Sequence, residues 1–276
     1  MIEPSAEEYA AENASPLTPE QAIANLQSLD LGLRYYAAWW LGKFQVSQPA
    51  AVDALIAALE DEADITELGG YPLRRNAARA LGKLGDRRAV PGLIKCLECS
   101  DFYVREAAAQ SLEMLRATTA APALMQLLDG GVAVAVQVPG RPHLIQPYEA
   151  VLEALGAIGA TEAIHLIEPF LEHSVPRVQC AAARAMYQLT QNPAYGEHLV
   201  KILDGNDLKL RRVALGDLGA IGYIEAADAI ANAKAENSFK LIALKGLLEH
   251  QLPEEFDAFC IADDAIRVMN LMDSLL

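Results

Sequence analysis

Large apolar residues recur along this chain in a fixed relation to one polar or aromatic position. With Arg34, Arg74, Arg105, Tyr148, Gln179, Arg211 and Lys240 as anchors, the seventh residue onward is Leu41, Leu81, Leu112, Leu155, Met186, Leu218 and Leu247. The tenth is Phe44, Leu84, Leu115, Ile158, Leu189, Ile221 and, breaking the pattern, His250. Offsets of −1, +3, +7 and +10 share one face of a 3.6-residue helix, so each segment is predicted to be an amphipathic helix. Alanines at +3 and +4, such as Ala37 and Ala38 or Ala77 and Ala78, let a neighbouring helix approach closely. A second apolar stretch precedes each helix, at 22–29, 51–59, 89–97, 121–128, 163–171, 199–203 and 226–233. Pro19, Pro49, Pro91 and Pro122 stand at or near the starts of these stretches, where a missing N–H costs nothing.

The repeated unit is therefore helix A, turn, helix B. Neither helix buries its stripe alone, so stacked neighbours supply the core. The expectation is an all-α superhelix, a HEAT/armadillo-like solenoid of about seven helix pairs over residues 19–252. A coiled coil is excluded, because the period is near thirty residues and not seven. Two anchor intervals are long, and their excess maps to 64–72 and 131–147, both between helix A and helix B of their units. In the second, Val132, Val134, Val136 and Val138 alternate with small residues or Gln137, a period of two that predicts a short extended arm. The arm reads either as a surface loop or as an apolar element that meets a partner. Residues 1–18 are acidic and aperiodic and read as a flexible segment, whereas 253–276 offers a final amphipathic helix that caps the stack or docks elsewhere.

Composition narrows the class of function. Lys and Arg number 22 against 37 Asp and Glu, giving −15, which argues against nucleic acid and against anionic membranes as partners. No apolar run approaches the roughly 18 residues that cross a bilayer, so no membrane insertion is expected. The first twelve residues hold four Glu and no basic residue, unlike a secretory signal. A cytoplasmic protein with four reduced cysteines is the expectation.

In such stacks the B helices usually line the concave side, and the face opposite the stripe falls at +1, +5 and +8. Its first two positions read Tyr35 and Trp39, Arg75 and Arg79, Glu106 and Gln110, Glu149 and Glu153, Cys180 and Arg184, then Arg212. The aromatic residues Tyr35, Tyr36 and Trp39 either head a groove or close the N-terminal edge of the stack; Trp40, at +6, points toward the stripe. Arg74 is a repeat anchor that braces a turn. Arg75 and Arg79 are not required by the repeat, and arginine grips carboxylates in bidentate fashion. Gly42, Gly82, Gly156 and Gly219 share the +8 offset, where they ease packing or open the groove. Cys96 and Cys99 form a C-x-x-C without a second pair and read as inert thiols. The five histidines show no metal spacing, and phosphate-loop and nucleophile-elbow motifs are missing. On the residues alone this is a binding solenoid whose chemistry stays open.

Two stretches go further. Leu33-Arg34-Tyr35-Tyr36-Ala37-Ala38-Trp39-Trp40-Leu41-Gly42-Lys43-Phe44 resembles the signature of the E/F-type phycobilin lyases. So does the run from Thr66 to Leu84, with Glu67-Leu68-Gly69-Gly70-Tyr71-Pro72 leading into Arg74-Arg75-Asn76-Ala77-Ala78-Arg79. The resemblance spans most of the chain and falls on the E-subunit side of the family. It implies a HEAT-repeat protein that works as a heterodimer with an F-type lyase subunit. It also implies attachment of phycocyanobilin, by a thioether bond, to a cysteine of the apo-phycocyanin α subunit. No metal, nucleotide or other cofactor is implied, since phycocyanobilin is the substrate. A bilin carries two propionates and a flat conjugated surface. The expectation is that Arg75 and Arg79 hold propionates, Tyr35 and Trp39 stack on pyrrole rings, Tyr36 and Arg184 also bind the bilin, and the catalytic groups are Glu149 and Glu153, either of which keeps the bilin cationic by accepting from pyrrole N–H groups. A non-catalytic scaffold for a partner protein, and a lyase-isomerase subunit, are the alternatives.

Overall fold

A computed structural model describes residues 17–252 and 262–276, and its described residues form helix pairs in the order read from the pattern. The first three pairs are α1 (Pro19–Asn25) with α2 (Leu31–Lys43), α3 (Pro49–Ala58) with α4 (Pro72–Leu84), and α5 (Val90–Cys96) with α6 (Phe102–Met114). In the fourth, α7 (Ala121–Gln126) is separated from α9 (Tyr148–Ala157) by the arm, which contains the short α8 (Gly131–Val134). Then follow α10 (Ile164–Ile167) with α11 (Pro176–Thr190), α12 (Pro193–Leu203) with α13 (Leu208–Ile221), and α14 (Ala227–Asn232) with α15 (Asn237–Gln251). A last helix, α16 (Asp263–Asp273), packs on α14 and α15.

Local chemistry sets the boundaries. Asp30, Asp101 and Asp207 cap the N-termini of α2, α6 and α13 by accepting from backbone N–H groups. Prolines occupy the first turns of α1, α3, α5 and α7. Four α-helices of the A type are entered through a short 3₁₀ turn, for example Arg87–Ala89 before α5.

The +7 residues Leu41, Leu81, Leu112, Leu155, Leu218 and Leu247 are fully buried and Met186 nearly so. Each contributes about 1.5–3 kcal/mol through the area it removes from water. The anchors have a common task. Arg34 Nε donates to the Leu26 carbonyl at 3.1 Å, Arg105 Nη1 to Cys99 and Ser100 at 2.6 and 3.0 Å, and Lys240 Nζ to Ala231 at 3.1 Å. Arg74 donates to the Asp61 carbonyl at 2.5 Å, so it braces the turn after helix A, as its place in the repeat implied. A side chain of this kind satisfies carbonyls left open where a helix ends.

Successive B helices pack side by side into one continuous layer through α2, α4, α6, α9, α11, α13 and α15. A seam of small residues runs along it. A Cβ added at Gly42 would meet Ala80 Cα at 2.7 Å, at Gly82 it would meet the Ser111 side chain, and at Gly156 it would meet Ala185 Cα at 2.6 Å. The +8 glycine of one helix thus receives the +6 residue of the next. His250, the one break at +10, lies against the left-handed Gly222 of the preceding repeat.

The arm differs from the expectation of a strand. Residues 131–134 form a helical turn, and only the following segment is extended. The Val138 N–H donates to the His143 carbonyl and the Ile145 N–H to that of Val136, both at 3.0 Å, so 136–138 and 143–145 make a small hairpin. The period-two reading fails at Val132 and Val134 because Gly130 and Gly131, both with positive φ, turn the chain into a tight helical turn there. Of the acidic segment 1–18, residues 1–16 lie outside the described residues, as does 253–261.

Candidate functional site

The side chains at +1 and +5 form a ridge along the B layer. Tyr35, Tyr36 and Trp39 stand at its N-terminal end and are 38%, 47% and 44% exposed, too open for core residues. The Tyr36 and Trp39 rings lie against each other with centroids 5.4 Å apart. Trp40 is half-buried against Phe44, at 4.8 Å. No earlier B helix stands beside α2 among the described residues, and Leu33 and Tyr36, at −1 and +2, face solvent at this edge.

The arginines of the ridge differ in what they meet. Arg79 is 3.8 Å from Glu106, and Arg212 is paired with Glu236. Arg184 is held by three carboxylates: Glu113, Glu153 at 3.7 Å and Asp217 at 3.5 Å. Its charge is thus already met within the fold. Arg75 stands apart. Its guanidinium lies over the Tyr103 ring at 5.9 Å, its Nε is buried without a hydrogen-bond partner, and no carboxylate among the described residues pairs with it. A cation on a ring face with unused donors is ready to take an external anion.

The two candidate carboxylates also differ. Glu149 is 2.9 Å from Arg177 and partly open to a cavity of about 620 Å³ beneath the arm; burial raises its pKa. Glu153 is deeper. Burial pushes its carboxyl up to about 8, against the pull of Arg184, and Asp217 is raised to about 6 for the same reason. Three carboxylates around one guanidinium cannot all ionise cheaply. The cluster therefore retains a proton near neutral pH.

Cys180, which the +1 offset put on the ridge, is fully buried, and burial raises its thiol to about 12. Cys96 is likewise buried with its thiol raised to about 12, so neither is a ready nucleophile. No cluster of potential metal ligands occurs among the described residues.

Sequence reasoning missed Glu113 and Asp217 as parts of the charged cluster. The signal was present: +8 is Glu113 or Tyr187 where four other repeats have glycine, and +6 is Asp217 where five of the others have Ala, Ser or Gly and the first has Trp40. It also missed Phe102, Tyr103 and His143, which meet only because the arm folds back. The His143 ring stacks on Phe102 at 4.1 Å and meets Tyr103 edge-on at 5.7 Å.

Comparison with known proteins agrees with the repeat and decides the family. HEAT repeats match residues 71–136 and 147–219, and the PBS lyase HEAT-like repeat matches residues 33–61. The phycocyanobilin lyase subunit alpha of Nostoc sp. (strain PCC 7120) is 82% identical over 276 residues, all of both chains. The chain belongs to the family of phycocyanobilin lyase α subunits. Its counterpart in Picosynechococcus sp. is 60% identical over 95% of this chain and 98% of that one. The bilin biosynthesis protein PecE of Mastigocladus laminosus is 49% identical over 84% and 82%. The solved complex of CpcE and CpcF of phycocyanin lyase from Nostoc sp. PCC7120 contains a chain with TM-score 0.90 and 81% identity, covering 99% of this chain and 100% of that one. Within this family fold, no described helix is long and apolar enough to cross a membrane.

Proposed function

We propose that this lyase α subunit, joined to an F-type subunit, attaches phycocyanobilin through a thioether bond to a cysteine of the phycocyanin α subunit. Family membership at 82% identity over the full length supports the activity and the partner. At the site, the supporting observation is Arg75, the one ridge arginine that pairs with no carboxylate among the described residues. Arg75 binds a propionate of the bilin, Arg79 assists from its looser pair with Glu106, and Tyr35, Tyr36 and Trp39 offer ring faces to pyrroles. The protein is cytoplasmic and holds no cofactor of its own.

The chemistry is an addition. The sulfur of the acceptor cysteine forms a bond to the ethylidene carbon of the bilin, and the π pair of that double bond moves into the tetrapyrrole. A ring carbon then takes up a proton, and nothing leaves. A more cationic bilin is a better electrophile, and Glu149 beside the cavity supports that state by accepting from pyrrole N–H groups. Glu153 acts from behind, as part of the protonated cluster around Arg184. Since the nucleophile belongs to the acceptor, the inert thiols of Cys96 and Cys180 are no obstacle.

The test is bilin absorbance after mixing the E–F pair, phycocyanobilin and apo-α subunit. Arg75→Ala should weaken uptake and transfer more than Arg79→Ala. Unchanged uptake and transfer in the double variant would remove both roles, while an altered product spectrum would indicate isomerisation.

A further inference from the structure

Between the arm and the B layer lie two cavities that share one wall. Phe102, Tyr103 and His143 line both. The wall is pinned. Arg105 Nη2 donates to the Ile145 carbonyl at 2.9 Å, and a His173 ring nitrogen lies 2.9 Å from the Ala135 carbonyl, so the hairpin is tied at both of its ends.

The cavities carry opposite charge. The first, about 430 Å³, gathers Arg75, Arg105 and Arg141 against Asp101. The second, about 620 Å³, sets Glu106 and Glu149 against Arg177. Within the first, Arg105 is occupied by the carbonyls of Cys99, Ser100 and Ile145, and Asp101 accepts from the backbone N–H groups of Tyr71 and Tyr103. Arg75 and Arg141 remain, and neither pairs with a carboxylate among the described residues. One comes from a B helix and the other from the inserted arm.

We infer that Arg141 is the second carboxylate-holding residue of the site, acting with Arg75 so that the bilin lies across the Tyr103–His143 wall with its propionate edge in the first cavity. This rests on the bilin reading above and changes its second contact from Arg79, already facing Glu106, to the arm. Glu106 and Glu149 make the other cavity unfavourable for propionates. That cavity suits a lactam-bearing ring instead. Gln146 Oε1 and the Tyr148 hydroxyl are both buried there without a hydrogen-bond partner. Tyr148 is the anchor of the fourth repeat, so where other anchors spend their donors on a turn, this one leaves a polar atom open.

The experiment uses the E–F pair titrated with phycocyanobilin and, separately, with its dimethyl ester, followed by absorbance. Arg141 is exposed on the arm, so Arg141→Ala should leave co-purification with F and the helical circular dichroism unchanged. Arg141→Ala and Arg75→Ala should each weaken the diacid by about tenfold or more, the size of a lost charge-assisted hydrogen bond, with the ester affinity unaltered. Arg141→Lys should restore part of the loss. Wild-type affinity for the diacid in Arg141→Ala, or equal losses for diacid and ester, would overturn the arm's role and leave the bilin reading standing. A wild-type pair that takes up neither form would overturn both.

Discussion

Arg75 and Arg184 stand on one ridge of one helix layer, yet the protein has treated them in opposite ways. Around Arg184 it supplies Glu113, Glu153 and Asp217 from three other B helices. Around Arg75 it supplies a tyrosine ring, and no carboxylate among the described residues. The difference lies in the seam. Four repeats have glycine at +8, but the third has Glu113 there and the sixth has Asp217 at +6, and both of these carboxylates meet Arg184. An arginine is available to a ligand only where the fold has not already answered its charge.

The largest effect should follow from breaking the satisfied end. Arg184→Met leaves three carboxylates at a buried point and should destabilise the chain by about 3–5 kcal/mol, read by urea unfolding of the E–F pair. A smaller loss would mean that the cluster reorganises readily and is not a fixed element of the layer.

Next comes the seam, where two glycines of α13 make opposite predictions. Alanine at Gly219 would bring its Cβ within 2.9 Å of the Ala243 backbone, so Gly219→Ala should cost about 1–3 kcal/mol despite its better helix propensity. A Cβ at Gly216 meets nothing within 4 Å, so Gly216→Ala should stabilise by up to about 1 kcal/mol. Melting temperatures moving in the same direction would show that the seam does not limit packing.

The smallest effect is the pH dependence, and it sharpens the contrast. Glu153 is raised in the fold to about 8, so its contribution is complete below its unfolded value near 4.5 and is lost as pH rises toward 8. The loss is at most about 1.4 kcal/mol per pH unit. Asp217, raised to about 6, adds to the decline below that pH. Thermal melting should therefore fall between pH 6 and pH 8 in the wild type and be nearly flat over that interval in Glu153→Gln. A decline of equal size in the variant would assign it to other groups. The acids Glu60, Asp86 and Glu236 are shifted downward by their basic partners and titrate below this window.

Much of this molecule is determined by the chain read in order. The periodic leucines, the small residues beside them and the prolines at helix starts fix seven helix pairs, because each amphipathic stripe is covered only by a neighbour built the same way. The ridge is likewise a matter of offsets, and Tyr35, Trp39, Arg75 and Arg79 are exposed or half-buried as their positions dictate. What periodicity does not carry is which of these side chains find each other. Arg184 meets groups from Glu113 to Asp217, and His143 meets Phe102 across a fold-back of the arm, through contacts between residues some 30 to 70 positions apart. Such meetings depend on the spacing between helices, set by whether a seam position is glycine or a larger residue, and on the path of an insertion that obeys no repeat. Only the packed structure decides them, because a charge's surroundings are a property of distance in space and not of order along the chain.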